Sequence, residues 1–205
     1  MDTKEPAKSE PRTGRLHTGS SDLIAETRLE FPCLFQVEVL RELPAQPSEL
    51  RYFPPARRHG SDGLLLRITP DKVASWSGLF AAQPSGRYRT GIYSCPDANA
   101  LCVVSNGAGY ILDVRDPDRY QDIPISPVLD VVPSIESGLL ILANYTDVLA
   151  WDRSGKRWLA ERVSFDGIRD LQVLNGAPQG LAWSPTDGEQ PFVLDPITGA
   201  HLSPT

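Results

Sequence analysis

The chain has 205 residues, of which 40% are hydrophobic and 22% charged, a composition typical of a soluble domain that buries its own core. Its formal net charge of −6 argues against nucleic acid as a partner, because phosphates require a basic surface, and favours a basic partner instead. No apolar run approaches the roughly 20 residues that a membrane-spanning helix needs. We therefore expect neither a nucleic-acid-binding protein nor a membrane protein.

The N-terminal residues 1–22 are rich in Pro, Ser, Gly and charged residues, and they contain no apolar segment of the kind found in secretory signals. Such a composition is typical of a flexible tail. We therefore predict a tail over residues 1–22, a single domain over residues 23–205 and a cytoplasmic location.

The first predicted strand lies in the segment RLEFPCLFQVEV, where apolar residues occupy every odd position from Leu29 to Val39. This alternation is typical of a strand that buries one face. We expect the strand either to close a ring against the last repeat, as part of a fifth unit, or to cover an open sheet edge.

Residues 43–62 are rich in Pro and Arg and are predicted to form a loop. Within this loop the segment RYFPPARRH combines arginine with aromatic residues, and such combinations are favoured at protein interfaces. We predict that a partner is contacted by Arg51, Tyr52, Phe53, Arg57 and Arg58. The alternative is a solvated loop without a binding role.

A pattern of paired apolar segments recurs from residue 63 onwards. Residues 63–66 (GLLL) superimpose on residues 138–141 (GLLI), and in each copy a tryptophan, Trp76 or Trp151, follows thirteen residues after the glycine. Another copy turns at Asn106-Gly107, the strongest short signal for a β-hairpin, and a looser copy follows later in the chain. Copies about 40 residues apart, each with several short strands, are typical of propeller blades.

Apolar runs such as Leu64-Leu65-Leu66 indicate strands that are buried on both faces, as in sheets stacked face to face. We therefore predict an all-β fold, in the form of a small propeller-like array of about four to five blades. A β-sandwich or an irregular barrel is the alternative.

The cysteines Cys33, Cys95 and Cys102 are odd in number, which favours free thiols over a disulfide framework. A hairpin centred between Ala98 and Asn99 would place Cys95 opposite Cys102. Such a pair could be redox-active or bind a metal ion; the alternative is two small buried residues on neighbouring strands.

The sequence contains little that indicates catalysis. Asp113, Asp116 and Asp118 are close together, but the Gly and closing Glu of a calcium loop are missing, so these carboxylates are expected to cap turns. Two carboxylates of this kind could also serve a glycoside hydrolase. Motifs for a metal centre, a phosphate-binding loop or a catalytic nucleophile are missing from the sequence. We expect no cofactor and no metal ion.

The segments VLAWDRSGKRW (148–158) and FVLDPITGAHL (192–202) resemble the repeats of quinoprotein-type propellers. This resemblance implies that Asp152 and Asp195 hold turns and that Gly155 and Gly199 adopt the left-handed conformation. It also implies that the residues three positions after these glycines, Trp158 and Leu202, dock against a neighbouring blade. Quinoprotein enzymes enclose their quinone and calcium with more blades than this chain has room for, so dehydrogenase chemistry is not implied.

Longer segments, among them DGLLLRITPDKVASWSGLF (62–80), are similar to small bacterial proteins to which no activity is attached. We predict a non-catalytic binding or scaffold module that engages a protein partner through the loops at the blade ends, such as an immunity-type inhibitor of a basic effector. Trp183 departs from the repeat and is the candidate ligand contact. The alternative function is a hydrolase that acts at the central opening of the propeller.

Overall fold

The computed structural model of the protein describes residues 25–44, 50–55 and 62–202, and in these residues it contains sixteen strands and no helix. The prediction of an all-β fold is confirmed. In the described ranges there is accordingly no helix long and apolar enough to cross a bilayer. The first eight strands are β1 (Glu26–Arg28), β2 (Phe35–Val39), β3 (Leu50–Phe53), β4 (Gly63–Pro70), β5 (Trp76–Ala81), β6 (Gly91–Ser94), β7 (Ala100–Ser105) and β8 (Ala108–Asp113). The others are β9 (Asp116–Asp122), β10 (Asp130–Ser134), β11 (Leu139–Ala143), β12 (Val148–Asp152), β13 (Gly155–Ala160), β14 (Ile168–Leu174), β15 (Ala177–Ser184) and β16 (Gly188–Val193).

These strands form four sheets within the described part of the chain. Sheet I has the order β2-β4-β5-β3, and sheet II has the order β1-β6-β7-β8-β9. Sheet III has the order β10-β11-β12-β13, and sheet IV has the order β14-β15-β16. Neighbouring strands are antiparallel except for β1 beside β6 and β3 beside β5, which are parallel. Each sheet after the first is therefore built mainly from strands that follow one another in the chain.

The hairpin between β7 and β8 turns where the sequence predicted it. Ser105 pairs with Ala108, and the two residues between them, Asn106 and Gly107, have φ values of 45° and 85°. Positive φ at both central positions is the requirement of a type I′ turn, which favours Asn-Gly.

The hydrophobic core lies in the layers between consecutive sheets. Along β7, Leu101 and Val103 pack in the layer with sheet I, whereas Cys102 and Val104 pack in the layer with sheet III. Sheet III is likewise covered on both faces, by sheets II and IV, and every residue of β11 is buried. Burial on both faces explains the consecutive apolar residues of these strands. The predicted burial of Leu64, Leu65 and Leu66 in β4 is confirmed, with Leu64 and Leu66 in the layer between sheets I and II.

The first apolar segment is divided between two strands, so the prediction of a single strand is wrong, as is its placement against the last repeat, whereas the alternative that it covers an open sheet edge is confirmed. It contributes β1, which covers the β6 edge of sheet II, and β2, which pairs with β4 in sheet I. The chain between them is held by other contacts, because Phe31 donates its N–H to Ser94 Oγ at 2.8 Å and Leu34 donates to the Ala98 carbonyl at 2.8 Å. Pro32 also interrupts the segment, since it has no N–H to give to a ladder.

The superposition of Trp76 on Trp151 is wrong. Trp76 is the first residue of β5 and pairs with Ile68 at the end of β4, whereas Trp151 is the fourth residue of β12 and pairs with Leu140 near the start of β11. The two tryptophans pack against opposite faces of sheet II, from sheets I and III respectively. The alignment is wrong because β4 has eight residues and β11 has five. A residue thirteen positions after the glycine therefore lies at a different point of the hairpin in each copy.

The counterpart of Trp76 is Trp158. The indole N–H of Trp76 donates to the carbonyl of Val114 in the next sheet at 2.9 Å, and that of Trp158 donates to the carbonyl of Pro196 at 2.9 Å. In both cases the acceptor lies 38 residues ahead, directly after an aspartate, Asp113 or Asp195. A tryptophan of one sheet is thus hydrogen-bonded to the turn that follows a strand of the next sheet.

The turns implied by the resemblance have the expected conformation. Asp152 Oδ1 accepts a hydrogen bond from the Ser154 N–H at 2.7 Å, and Asp195 Oδ1 accepts one from the Ile197 N–H at 2.7 Å. Backbone hydrogen bonds lower the pKa of Asp195 below its ordinary value. For Asp152, desolvation by burial opposes ionisation, but the hydrogen bonds from Ser154 outweigh it and lower the pKa. Gly155 has φ of 124°.

Gly199, with φ of 73°, also lies against the Trp158 ring: an added Cβ would be 2.6 Å from the nearest ring atom. Trp158 is buried between sheets III and IV, so its predicted docking is confirmed. The docking predicted for Leu202 is wrong because its side chain is exposed.

The predicted register of the two central cysteines is wrong by two residues. Cys102 pairs with Tyr93, and Cys95 N–H donates to the Ala100 carbonyl, because the connection is longer than expected and is shaped by Asp97. Cys95 and Cys102 still face the same layer, where both are fully buried as free thiols. Burial raises the pKa of both thiols, which keeps them protonated.

Replacement of Trp151 by Ala should lower the free energy of unfolding by about 3–5 kcal/mol, because it leaves a cavity between sheets II and III. Denaturant unfolding measures this difference. Phe165→Ala is the matched control, since Phe165 is exposed and its loss should change stability by less than about 1 kcal/mol. Equal effects of the two changes would contradict the assigned core.

Native protein treated with a soluble thiol reagent should be labelled at the half-buried Cys33, while Cys95 and Cys102 react only after unfolding. Mass spectrometry of the labelled peptides, with and without denaturant, distinguishes the three sites. Rapid native labelling of Cys95 or Cys102 would contradict their burial.

Candidate functional site

The loop predicted over residues 43–62 is wrong for Leu50–Phe53, because these residues pair with β5 and form β3, the outer strand of sheet I. Arg51, Tyr52 and Phe53 of the segment predicted to contact a partner lie in this strand. Phe53 is not available to a partner, because it is buried with its ring stacked on Phe80 at 4.6 Å and edge-on to Tyr120 at 5.3 Å. Phe53 therefore anchors β3 to the core. Arg57 and Arg58 lie outside the described residues.

Arg51 and Tyr52 line an open groove between β3 and β9, the outer strands of neighbouring sheets. The groove has a volume of about 590 Å³ and is lined by Leu50, Arg51, Tyr52, Phe53, Pro55, Pro117, Asp118 and Tyr120. Arg51 is already paired across it, because its guanidinium lies 2.6 Å from the Asp118 carboxylate. Since both side chains are exposed, this pair contributes little to stability, and it occupies the charge that was predicted to meet a partner.

Trp183, the predicted ligand contact, lies near the end of β15 on the outer face of sheet IV. Its neighbour Ala182 packs towards sheet III, so the Trp183 side chain points the other way and is 37% exposed. Phe165, in the loop between β13 and β14, is 70% exposed and lies beside it, with ring centroids 6.1 Å apart and planes at 58°. Tyr145, in the turn between β11 and β12, is 42% exposed, and its carbonyl accepts the Gly167 N–H from the loop that carries Phe165. We refer to Tyr145, Phe165 and Trp183 as the aromatic patch.

The turn that carries Tyr145 is fixed by the side chain of a buried asparagine. Asn144 Oδ1 accepts hydrogen bonds from the N–H groups of Thr146 at 2.8 Å and Asp147 at 2.7 Å. Asparagine is favoured in such turns because its side chain can satisfy backbone donors two and three residues ahead. The short sequence Asn-Tyr-Thr-Asp therefore holds its own shape and exposes its aromatic residue.

The loop that carries Phe165 is tied to this turn by three backbone donors. The N–H of Arg162 donates to Asp147 Oδ1 at 2.9 Å, that of Ser164 donates to the Thr146 carbonyl at 3.1 Å, and that of Gly167 donates to the Tyr145 carbonyl at 2.9 Å. These bonds join the ends of sheets III and IV. Two of the aromatic residues are therefore held relative to each other by the backbone.

The loop that carries Phe165 is also connected to β15 through the buried side chain of Ser164. Its Oγ lies 2.8 Å from the Gly167 carbonyl and 3.1 Å from the Trp183 carbonyl, and it accepts the Trp183 N–H at 2.9 Å. The N–H of Phe165 donates to the Trp183 carbonyl at 2.9 Å. Phe165 is therefore exposed by a loop that is bonded on both sides.

The surroundings of the aromatic patch carry a net negative charge. The acidic residues beside it outnumber the basic ones by three, with Asp147, Glu161, Asp166, Asp187 and Glu189 against Arg162 and Arg169. Next to Phe165 is a shallow cavity of about 1030 Å³, lined by Thr146, Asp147, Glu161, Arg162, Ser164 and Phe165. Glu189 pairs with Arg169 at 2.8 Å, and it lies opposite Trp183 on the neighbouring strand.

Metal ligation is not supported in the described ranges, where no group of three His, Cys, Asp or Glu side chains could hold a metal ion. Asp113, one of the clustered aspartates, accepts a hydrogen bond from the Arg115 N–H at 2.9 Å, so its predicted role as a turn cap is confirmed. Asp118 is the carboxylate that pairs with Arg51.

Tyr145 and Phe165 are the members of the patch that sequence reasoning missed. Each is an aromatic residue between turn-forming neighbours, in Asn-Tyr-Thr-Asp and Ser-Phe-Asp-Gly. A large aromatic side chain in such a short polar segment cannot reach a core easily, and this was the available signal.

Comparison with known proteins gives no assignment. No protein-family model matches the chain, and no curated protein matches it significantly. Among solved structures the chain is similar to the N-terminal domain of Nup159, with 13% sequence identity and a TM-score of 0.34 over 87% of this chain. The chain spans about half the length of that structure, 52%. A similarity this weak carries no argument about function.

Replacement of Ser164 by Ala should lower the free energy of unfolding by about 1–3 kcal/mol, because it removes two part-buried hydrogen bonds, to the Gly167 carbonyl and from the Trp183 N–H, each worth about 0.5–1.5 kcal/mol. It should also speed amide hydrogen exchange at Phe165 and Gly167. The matched control is Ser154→Ala, because the Ser154 hydroxyl donates to Asp152 in an exposed turn. Its loss should lower the free energy of unfolding by less than about 1 kcal/mol. Unchanged exchange in Ser164→Ala would contradict a loop held by this hydroxyl.

Proposed function

We propose that the protein is a non-catalytic binding module that meets a protein partner through the loops at one end of its sheets. The observation that carries this proposal is the aromatic patch: Tyr145, Phe165 and Trp183 are exposed together on segments fixed by hydrogen bonds. Sheets I to IV would be the blades of a small propeller-like array, in which the patch belongs to one blade end. The proposed array has four blades, one for each sheet of the described residues.

The energetic argument is that exposed rings in ordered loops favour binding in two ways. Covering an aromatic side chain removes a large apolar area from water, and Trp and Tyr are frequent among residues that dominate binding energy. Loops that are already ordered lose less conformational entropy when a partner binds. The hydrogen bonds of Asn144 and Ser164 supply this order before any partner arrives.

We further propose that the module works in the cytoplasm. The support for this is chemical: its three cysteines are free thiols, and free thiols persist in reducing compartments. One chain supplies all three residues of the aromatic patch, so the proposed binding role does not require an oligomer.

Affinity capture from the native host tests the binding role. The wild-type chain should recover a protein partner that Phe165→Ala loses, while the variant remains folded because Phe165 packs little into the core. Ile197→Ala is the matched control, since Ile197 is 64% exposed but lies beyond β16, at the other end of sheet IV. Quantitative mass spectrometry of the three samples measures the recovery.

A further variant, Arg51→Ala, separates the aromatic patch from the groove between β3 and β9. A partner that is retained by Arg51→Ala and by Ile197→Ala but lost by Phe165→Ala supports the proposal. Equal recovery by Phe165→Ala and wild type would overturn it, as would a partner lost only by Arg51→Ala.

A further inference from the structure

The chemical class of the partner can be inferred from the groups around the aromatic patch, an inference that rests on the binding role proposed above. We propose that the patch takes a basic segment of a protein, with a Lys or Arg side chain seated against the rings of Phe165 and Trp183 and balanced by the carboxylates of Glu161 and Asp166. Three observations support this proposal: the geometry of the rings, two carboxylates that make no ion pair in the described part of the chain, and the net charge of the surface.

The rings of Phe165 and Trp183 are arranged so that a cation can reach them. Their centroids are 6.1 Å apart and their planes are tilted by 58°, so the two rings are not stacked face to face and do not fully cover each other. Both side chains are exposed in the free protein. A guanidinium or ammonium group within about 6 Å of a ring centroid is attracted by the negative ring face, and Trp provides the strongest attraction.

Two carboxylates beside the rings are free to meet a cation. Glu161 and Asp166 are exposed and make no ion pair or side-chain hydrogen bond in the described part of the chain. Asp147, by contrast, is already engaged by Asn144 and by the Arg162 N–H. Asp166 directly follows Phe165, and Glu161 lines the cavity beside it, so both flank the exposed ring.

The outer face of sheet IV already holds an ion pair beside the aromatic patch. Arg169 pairs with Glu189 at 2.8 Å, and Glu189 lies directly opposite Trp183. A cation is therefore accommodated next to the aromatic patch, on the same face of the sheet. Arg162 also lines the cavity beside Phe165, but Asp147 and Glu161 line the same cavity, so the carboxylates there outnumber the guanidinium.

Other occupants fit the charges less well. An acidic segment or a nucleic acid would be repelled by the surplus of three negative charges and by the net charge of −6 on the whole chain. A purely apolar segment would cover Glu161 and Asp166 without giving them a partner, and an unpaired charge is costly to remove from water. A basic segment with an aliphatic stem satisfies both the rings and the carboxylates.

The probe for this proposal is a short synthetic peptide that alternates Arg and Gly, compared with a peptide that alternates Glu and Gly. With the full chain, the Arg peptide should shift the backbone amide resonances of residues 161–167 and 183, and the Glu peptide should not. Phe165→Ala should weaken the binding of the Arg peptide by about two- to fivefold. Raising the salt concentration from about 0.01 M to about 0.1 M should also weaken it, since the screening length falls from about 30 Å to about 10 Å.

Charge-matched variants distinguish a local site from general attraction to an acidic protein. The double variant Glu161→Gln/Asp166→Asn removes the two carboxylates beside Phe165, and the double variant Glu42→Gln/Glu136→Gln removes the same charge elsewhere. The first should weaken the binding of the Arg peptide by about two- to fivefold more than the second. Equal effects of the two pairs, or binding of the Glu peptide, would overturn the basic-segment proposal. In that event, loss of the captured partner in Phe165→Ala would still support the binding role, whereas unchanged capture would overturn that role separately.

Discussion

The structure depends on the burial of both faces of its two central sheets. Sheets II and III each contribute side chains to two layers of the core, so that neighbouring residues of one strand, such as Leu101 and Cys102, pack in opposite directions. A single sheet of this composition would expose an apolar face to water, which is unfavourable, and stacking removes that face from water. The hydrophobic sequence of β7 and β11 therefore requires neighbours on both sides, and the architecture follows from that requirement.

Stacking alone does not fix how consecutive sheets are placed, because apolar packing has little direction. Direction comes from polar contacts between sheets at their ends, such as the indole of Trp76 bonded to Val114 and that of Trp158 bonded to Pro196. Each acceptor carbonyl directly follows an aspartate whose carboxylate accepts a backbone hydrogen bond within the turn. The indole N–H therefore donates to a carbonyl whose position is fixed by the turn. The device recurs between sheets I and II and between sheets III and IV, and it is the true repeat of tryptophans in this chain.

The sequence predicts the features that local chemistry decides. The all-β fold, the Asn106-Gly107 hairpin and the turn held by Asp152 depend on residues close together in the chain, and the structure confirms them. Pairings between strands of unequal length were not predictable in the same way, so Trp76 was matched to Trp151 and the cysteine register was two residues out. For the proposed site, the departure of Trp183 from the repeat marks it as a candidate in the sequence, whereas the exposure of Phe165 depends on hydrogen bonds from three segments and is not apparent from any one of them.

The position of the aromatic patch follows from the same constraint that builds the core. The inner faces of the stack are occupied by neighbouring sheets, so aromatic residues there, such as Trp151, are buried and unavailable to a partner. Sheet IV is packed on sheet III through one face, and the face that carries Trp183 lies outside the core layers of the described residues. An aromatic surface held by ordered loops can therefore form at the end of this last sheet at little expense to the core. This separation between core and surface explains how one fold keeps rigid packing and still leaves aromatic rings exposed to solvent.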